Sequence, residues 1–166
     1  NVRLDSMADR VVRGKILDKD GNILAETIVN EDGTETRNYP YGKLYAHVVG
    51  YDSMGKAGLE STENFNLLTS NAFFLEKISK TFREEKNIGD NIVTTLDTNL
   101  QEAAYNALGN YNGAVIVMDA STGKVLAMVS KPTFDPNRII SDWESLINNE
   151  NGILVNRAMQ GSYAPG

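Results

Sequence analysis

The sequence predicts an α+β fold. Two hairpin signals and several helix signals carry that prediction. Lys15-Ile16-Leu17 and Ile23-Leu24-Ala25 flank Asp18-Lys19-Asp20-Gly21-Asn22, whose Asp and Gly supply turn chemistry. Further on, Gly113–Met118 and Val125–Val129 flank the turn Asp119–Lys124. Between the hairpins the apolar spacing becomes helical. Phe74, Ile78 and Phe82 recur at i, i+4 and i+8, with Leu75 beside them, which marks an amphipathic helix over 72–82.

The remaining elements follow in chain order. A second turn is expected at Asn30-Glu31-Asp32-Gly33, and helical signals cover 43–50 and 58–70, where Leu59, Phe65 and Leu68 form an inward stripe. The charged run Arg83–Asn87 ends the first unit, Gly89-Asp90 restarts the chain, and the domain boundary falls near residue 88. Asn91–Leu96 reads as a strand by its β-branched content. Asp97 or Thr98 then caps a helix, with Thr98 and Gln101 spaced as a capping box. Its expected inward stripe is Leu100, Ala103, Ala104, Ala107 and Leu108, and Gly109 is the stop. Both strands of the second hairpin are continuously apolar, so both faces are expected to be covered. Ser141 with Glu144 caps a last short helix, and Tyr163-Ala164-Pro165-Gly166 reads as a loop. The hairpin needs more partners than these residues provide, so the chain reads as the front part of a larger protein.

Composition narrows the function. The 166 residues carry 16 Lys and Arg against 22 Asp and Glu, a net charge of −6 with no basic cluster, which argues against a nucleic-acid groove. The absence of cysteine removes thiolate metal sites, thiol nucleophiles and disulfides. His47 is the single histidine and reads as a packed or capping side chain. No apolar run reaches the ~20 residues that span a bilayer, and no signal sequence opens the chain. No phosphate loop, HExxH, EF-hand or GxSxG elbow occurs. The carboxylate pairs Asp18/Asp20, Glu31/Asp32 and Glu84/Glu85 sit in turns or in the charged run, not in an acid/base arrangement.

An ordered series of short motifs says more. Arg13-Gly14-Lys15-Ile16-Leu17-Asp18 followed by Asp20-Gly21-Asn22-Ile23-Leu24-Ala25 resembles the RGxIxDRxGxxLA signature of class B penicillin-binding proteins, with Lys19 where that family usually has Arg. Arg37-Asn38-Tyr39-Pro40 with Gly50-Tyr51, then Gly58-Leu59-Glu60, resemble the family's second and third motifs. Thr95-Leu96-Asp97, Leu100–Ala104, Gly113–Asp119 with Thr122–Met128, Phe134–Asn137, and Asn156-Arg157-Ala158 through Gly166 are similar to the start of its transpeptidase domain. The short first domain is most like the compact A-type members.

The resemblance implies a small N-terminal pedestal, residues 1–88, followed by the first part of a serine β-lactamase-like transpeptidase domain, residues 89–166, with an antiparallel sheet flanked by helices. It implies a parent D,D-transpeptidase on the extracytoplasmic face of a bacterial membrane, anchored by a helix outside this chain. That enzyme would cross-link peptidoglycan stem peptides through an acyl-serine, bind β-lactams, and use no metal or cofactor. In the family, Pro-Gly precedes the Ser-x-x-Lys box, whose serine opens a helix with the lysine one turn later. The nucleophile is therefore expected directly after Gly166. Tyr163, Pro165 and Gly166 would form a lip of the site, and no catalytic group would lie in the chain. Arg13, Arg37 and Glu60 are expected in a partly buried charged network, with Gly14, Asp18, Gly21, Tyr39, Pro40 and Gly58 as structural motif positions. Expected partners are the rest of the transpeptidase domain and other cell-wall synthesis proteins, with no nucleic acid. An alternative reading is a non-enzymatic pedestal that docks such proteins. A β-lactam sensor or class D-like β-lactamase would share the serine box but lack the Arg13, Arg37 and Glu60 motifs.

Overall fold

The structure, a computed structural model, describes residues 11–69 and 87–164. The helix expected at 72–82, most of the charged run, Pro165 and Gly166 lie outside the described residues. Four early strands come first: β1 (Val11–Val12), β2 (Ile16–Leu17), β3 (Ile23–Val29) and β4 (Glu35–Asn38). Short helices follow, a 3-10 turn Gly42–Leu44, α1 (Ala46–Val49), α2 (Gly58–Thr62) and α3 (Asn64–Leu67). Then come β5 (Asn87–Ile88), β6 (Ile92–Val93), α4 (Thr98–Leu108), β7 (Gly113–Met118), β8 (Val125–Lys131), α5 (Ile139–Ile147) and α6 (Arg157–Gln160).

The first hairpin forms where expected, β2 antiparallel to β3, and β3 continues antiparallel to β4 through the Asn30–Gly33 turn. The chain then returns beside its own beginning. β5 runs parallel to β1, and β6 runs parallel to β2 to complete the sheet β4-β3-β2-β6. The return is tight: Gly14 N donates to Leu67 O, Gly89 N to Val12 O, and a Cβ on Gly14 would stand 2.1 Å from Asp90 O. Gly14 is there to let two backbones touch, at a position where any side chain collides.

The strand expected over Asn91–Leu96 is shorter, because this segment hands its backbone from one sheet to the next. Ile92 N and Thr94 N donate to Lys15 O and Leu17 O on the first sheet, whereas Asp97 N donates to Leu126 O in β8. Leu96, between them, is 3% exposed and joins the core of Ile16, Leu24, Tyr39, Tyr45, Val49 and Leu67.

Two expected faces are corrected. In the 58–70 segment Phe65 points outward at 59% exposure, while Leu67 and Leu68 are buried. The helix breaks at Glu63, which rotates the second short helix relative to the first. In α4 Asp97 alone is the N-cap, accepting from Leu100 N, and Gln101 takes no part in a capping box. The inward positions of α4 are Gln101, Ala104, Tyr105 and Leu108, while Leu100, Ala103 and Ala107 face outward. The periodicity is right and the phase is rotated, because a polar residue occupies the innermost position. In the second hairpin, as expected of one that needs partners beyond these residues, β7 and β8 pack one face, Val115, Val117, Ala127 and Val129, against α4. The opposite face is covered at its Ser130 end by residues 155–157, leaving Ile116 and Met118 45% and 55% exposed.

α5 starts at Ile139 rather than from a Ser141 cap, because Asp135 accepts from Asn137 N and opens a 3-10 turn, Pro136–Arg138, that runs into the helix. Ser141 Oγ instead donates back to Arg138 O. A second core, of Ala46, Tyr51, Phe134, Ile139 and Leu146 with Trp143 and Ile153 at its edge, joins the early helices to the late ones.

Candidate functional site

The first motif residues converge on one carboxylate. Glu60, fully buried on α2, accepts from Arg13 Nε at 2.6 Å and from Arg37 Nε at 2.7 Å. Arg13 also reaches Glu60 O and Asn64 Oδ1, while Arg37 Nη1 reaches Gly14 O and Thr27 Oγ1. The guanidinium forks suit this geometry, binding a carboxylate and main-chain oxygens at once. Arg37 Nη2 is buried with no hydrogen-bond partner. Gly58, at φ +57°, opens α2 with a Cβ position only 2.7 Å from Val48 O, so the helix carrying Glu60 starts at a site that excludes side chains.

Tyr39 and Pro40 lie where the early sheet meets α5's approach. Asn137 reads the backbone of Tyr39 in both directions, Oδ1 accepting from Tyr39 N and Nδ2 donating to Tyr39 O. The Tyr39 hydroxyl accepts from Asp52 N, and burial together with the Glu60 and Asp52 charges pushes its pKa up. Pro40 is exposed in the following turn.

Asp18 anchors the β2–β3 turn, in which Gly21 has φ +86°. Its carboxylate accepts from Asp20 N, Asn22 N, Asn22 Nδ2 and the Thr98 hydroxyl. Tyr45, whose hydroxyl lies 3.0 Å from Thr98 Oγ1, completes the chain. Burial alone would raise the Asp18 pKa, but the bonds from Asn22, Thr98 and Asp20 outweigh it and bring it to about 2. A carboxyl with a depressed folded pKa stabilises above its unfolded value, 3.8, and that contribution is lost as the pH falls toward 2. The stability difference between wild type and Asp18→Asn is therefore expected to shrink by about 2 kcal/mol between pH 5 and pH 2 in urea titrations.

The second cluster lies near the end of the chain. Asn156 caps α6 through Ala158 N at 3.1 Å, and Arg157 N donates to Ser130 Oγ, which donates to Val155 O. Arg157's guanidinium holds Gly152 O and Asn151 O. His47, 7% exposed on α1, packs edge-on against Phe134 and places Nε2 2.8 Å from Ile153 O. Burial, with the Arg157 charge, lowers its pKa against the opposing pull of the bond to Ile153 O. Tyr163 is 65% exposed. An apolar groove of about 770 Å³ runs between these parts, walled by Val48, Leu59, Ile92, Met128, Leu154 and Met159.

Among the described residues no serine or threonine hydroxyl bonds a lysine or histidine side chain; those side chains bond carboxylates or main-chain carbonyls. No metal-ligating cluster and no helix long and apolar enough to cross a membrane occur among them either. Sequence reasoning missed Gln101 and Asn137 as structural nodes. Both lie in motifs the sequence offers, Asn137 at the end of Phe134–Asn137 and Gln101 in Leu100–Ala104, where its spacing from Thr98 suggested a capping box and not a buried amide.

The two matched domains, in tandem, place the chain among penicillin-binding proteins, and it belongs to the class B penicillin-binding protein family. Residues 13–92 match the penicillin binding protein A dimerisation domain, and residues 113–166 match the penicillin binding protein transpeptidase domain. Its relatives include the peptidoglycan D,D-transpeptidase PbpA of Mycolicibacterium smegmatis, 35% identical over 164 residues, covering 88% of this chain and 33% of that protein. The peptidoglycan D,D-transpeptidase MrdA of Escherichia coli is 32% identical over 173 residues, covering 82% of this chain and 27% of MrdA. Among solved structures, penicillin-binding protein A from Mycobacterium tuberculosis, as its imipenem acyl-enzyme, superposes with a TM-score of 0.82 at 32% identity, over 93% of this chain and 39% of that one. The D,D-transpeptidase domain of a peptidoglycan glycosyltransferase from Eggerthella lenta superposes at 0.78 with 36% identity, over 95% and 34%. The chain thus spans between about a quarter and a third of the length of the curated relatives it matches.

Proposed function

We propose that this chain is part of a membrane-anchored peptidoglycan D,D-transpeptidase acting on the extracytoplasmic face of a bacterial cell. Residues 1–88 serve as its pedestal and residues 89–166 begin its catalytic domain. The residue after Gly166 is the serine that attacks a stem peptide and carries the acyl group to a second one. Tyr163, Pro165 and Gly166 form the approach to it. β-Lactams acylate the same serine, and neither metal nor cofactor takes part. The pedestal offers surfaces to other cell-wall synthesis proteins.

The observation that carries this reading is the tandem match to both domains of relatives solved as imipenem and penicillin G acyl-enzymes. Mass spectrometry after exposure to a labelled penicillin tests it. The full-length encoded polypeptide is expected to gain one penicillin mass, and the 166-residue chain none. A full-length protein that stays unlabelled sinks the enzyme reading, and a stoichiometric adduct on the short chain sinks the placement of the nucleophile.

A further inference from the structure

Two bonds join α1 of the pedestal to the segment that leads into Tyr163, and they run in opposite directions. His47 Nε2 lies 2.8 Å from Ile153 O; a carbonyl only accepts, so this nitrogen carries the proton and donates. In return Asn156 Nδ2 donates to His47 O at 3.3 Å. One residue of α1 is thus held at both side chain and main chain by residues three apart on the other segment. Asn156 is committed further. Its Oδ1 caps α6 through Ala158 N, and its Nδ2 also lies 3.7 Å from Met128 Sδ on β8. Phe134 stands edge-on to the ring of His47, with centroids 5.2 Å apart.

We propose that the His47–Asn156 clasp is a positioning device that fixes the loop before the nucleophile relative to the pedestal. Movement of the pedestal thereby reaches the acylation site without any residue of the clasp touching substrate. The proposal rests on the transpeptidase reading above and adds to it a route between the two domains. The route is short and discrete. α1 carries His47, Asn156 transfers its position to the first turn of α6, and α6 delivers the chain to Gly161 and Tyr163. A shift of this loop by an ångström is the scale on which a nucleophile leaves its productive geometry.

The test uses the full-length protein and separates the clasp from simple loss of fold. His47→Ala removes the donor. Asn156→Asp keeps the oxygen that caps α6 but removes the donor to His47 O. Both are expected to slow the acylation step with a fluorescent penicillin about tenfold, with little change in the preceding noncovalent binding constant. His47→Gln, whose amide donates at similar reach, is expected to recover most of the rate. The double variant is expected to be no slower than either single one, because both break one unit. Wild-type rates in either single variant, or a His47→Gln protein as slow as His47→Ala, overturn the clasp. Should the wild-type protein prove not to be acylated at all, the enzyme reading fails separately. Hydrogen exchange over 153–161 then decides the clasp: faster exchange in His47→Ala supports it, and unchanged exchange overturns it.

Discussion

Glu60→Ala is expected to cost about 3–5 kcal/mol of stability, because it leaves two buried guanidiniums facing each other without a counter-charge. Arg13 would keep Glu60 O and Asn64, and Arg37 would keep Gly14 O and Thr27, so neither side chain is released to solvent. Each retains its desolvation cost and loses the attraction that offset it. Arg37 Nη2 is already unpartnered, so the site has no spare acceptor to take up the loss. Urea titration should show a midpoint shift of that size. Glu60→Gln, which keeps one acceptor but turns an N–H toward the other arginine, should fall between. Replacing all three residues by apolar ones of similar volume is expected to recover much of the loss, since apolar packing carries no desolvation cost of buried charge. A Glu60→Ala protein of wild-type stability would show that water reaches the arginines and that the network is a surface feature.

Gln101→Leu is the second large effect, expected at about 3 kcal/mol or more. Gln101 has no exposed surface, and its amide does what a neighbouring strand would do for β8. Nε2 donates to Met128 O, Oε1 accepts from Met128 N, and Nε2 also donates to Leu44 O. Leucine fills the space but strands three main-chain groups away from water, each a cost of about 1–3 kcal/mol before relaxation. The thermal midpoint should fall by about 10 °C for a chain of this size. Hydrogen exchange should report the loss first at Met128, on the edge of β8. Gln101→Ala, which opens a path for water to the same groups, should cost no more than leucine despite removing more atoms. The opposite order would mean that packing, not hydrogen bonding, dominates at this position.

The contrast between Gln101 and Glu60 shows what was legible in the sequence. Glu60 and its two arginines were readable because each sits in a short motif, and three such motifs recur in a fixed order; the structure brings the three residues into contact. The hairpins were readable because Asp, Asn and Gly mark their turns, and Asp18 does hold one of them through Asp20 N and Asn22 N. The buried role of Gln101 was not readable, and its spacing from Thr98 pointed instead to a capping box. Periodicity assigns faces by hydrophobicity, and a buried amide paired to a strand edge inverts that rule, which is why the expected stripe of α4 was rotated. Phe65 fails in the other direction: it is large, apolar and exposed, since a break at Glu63 decides its direction and hydropathy does not. The strand 91–96 was overcalled because β-branched content cannot tell a strand in one sheet from a segment shared between two. In the second cluster Asn156 was visible within a motif, but its bond to His47 spans 109 positions and no local pattern encodes it.

The parallel return of the chain beside its own beginning has a mechanical consequence. Residues 12–19 and 89–96 are joined by a row of bonds, Gly89 N to Val12 O, Ile92 N to Lys15 O, Thr94 N to Leu17 O and Lys19 N to Leu96 O. The end that enters this row and the end that leaves it lie at opposite extremities. Tension between the chain's upstream end and the half that matches the transpeptidase domain would therefore load every rung at once, in shear, instead of peeling them in succession. The described residues 20–69 lie off this load path, so a pull along the chain can be borne while they stay slack.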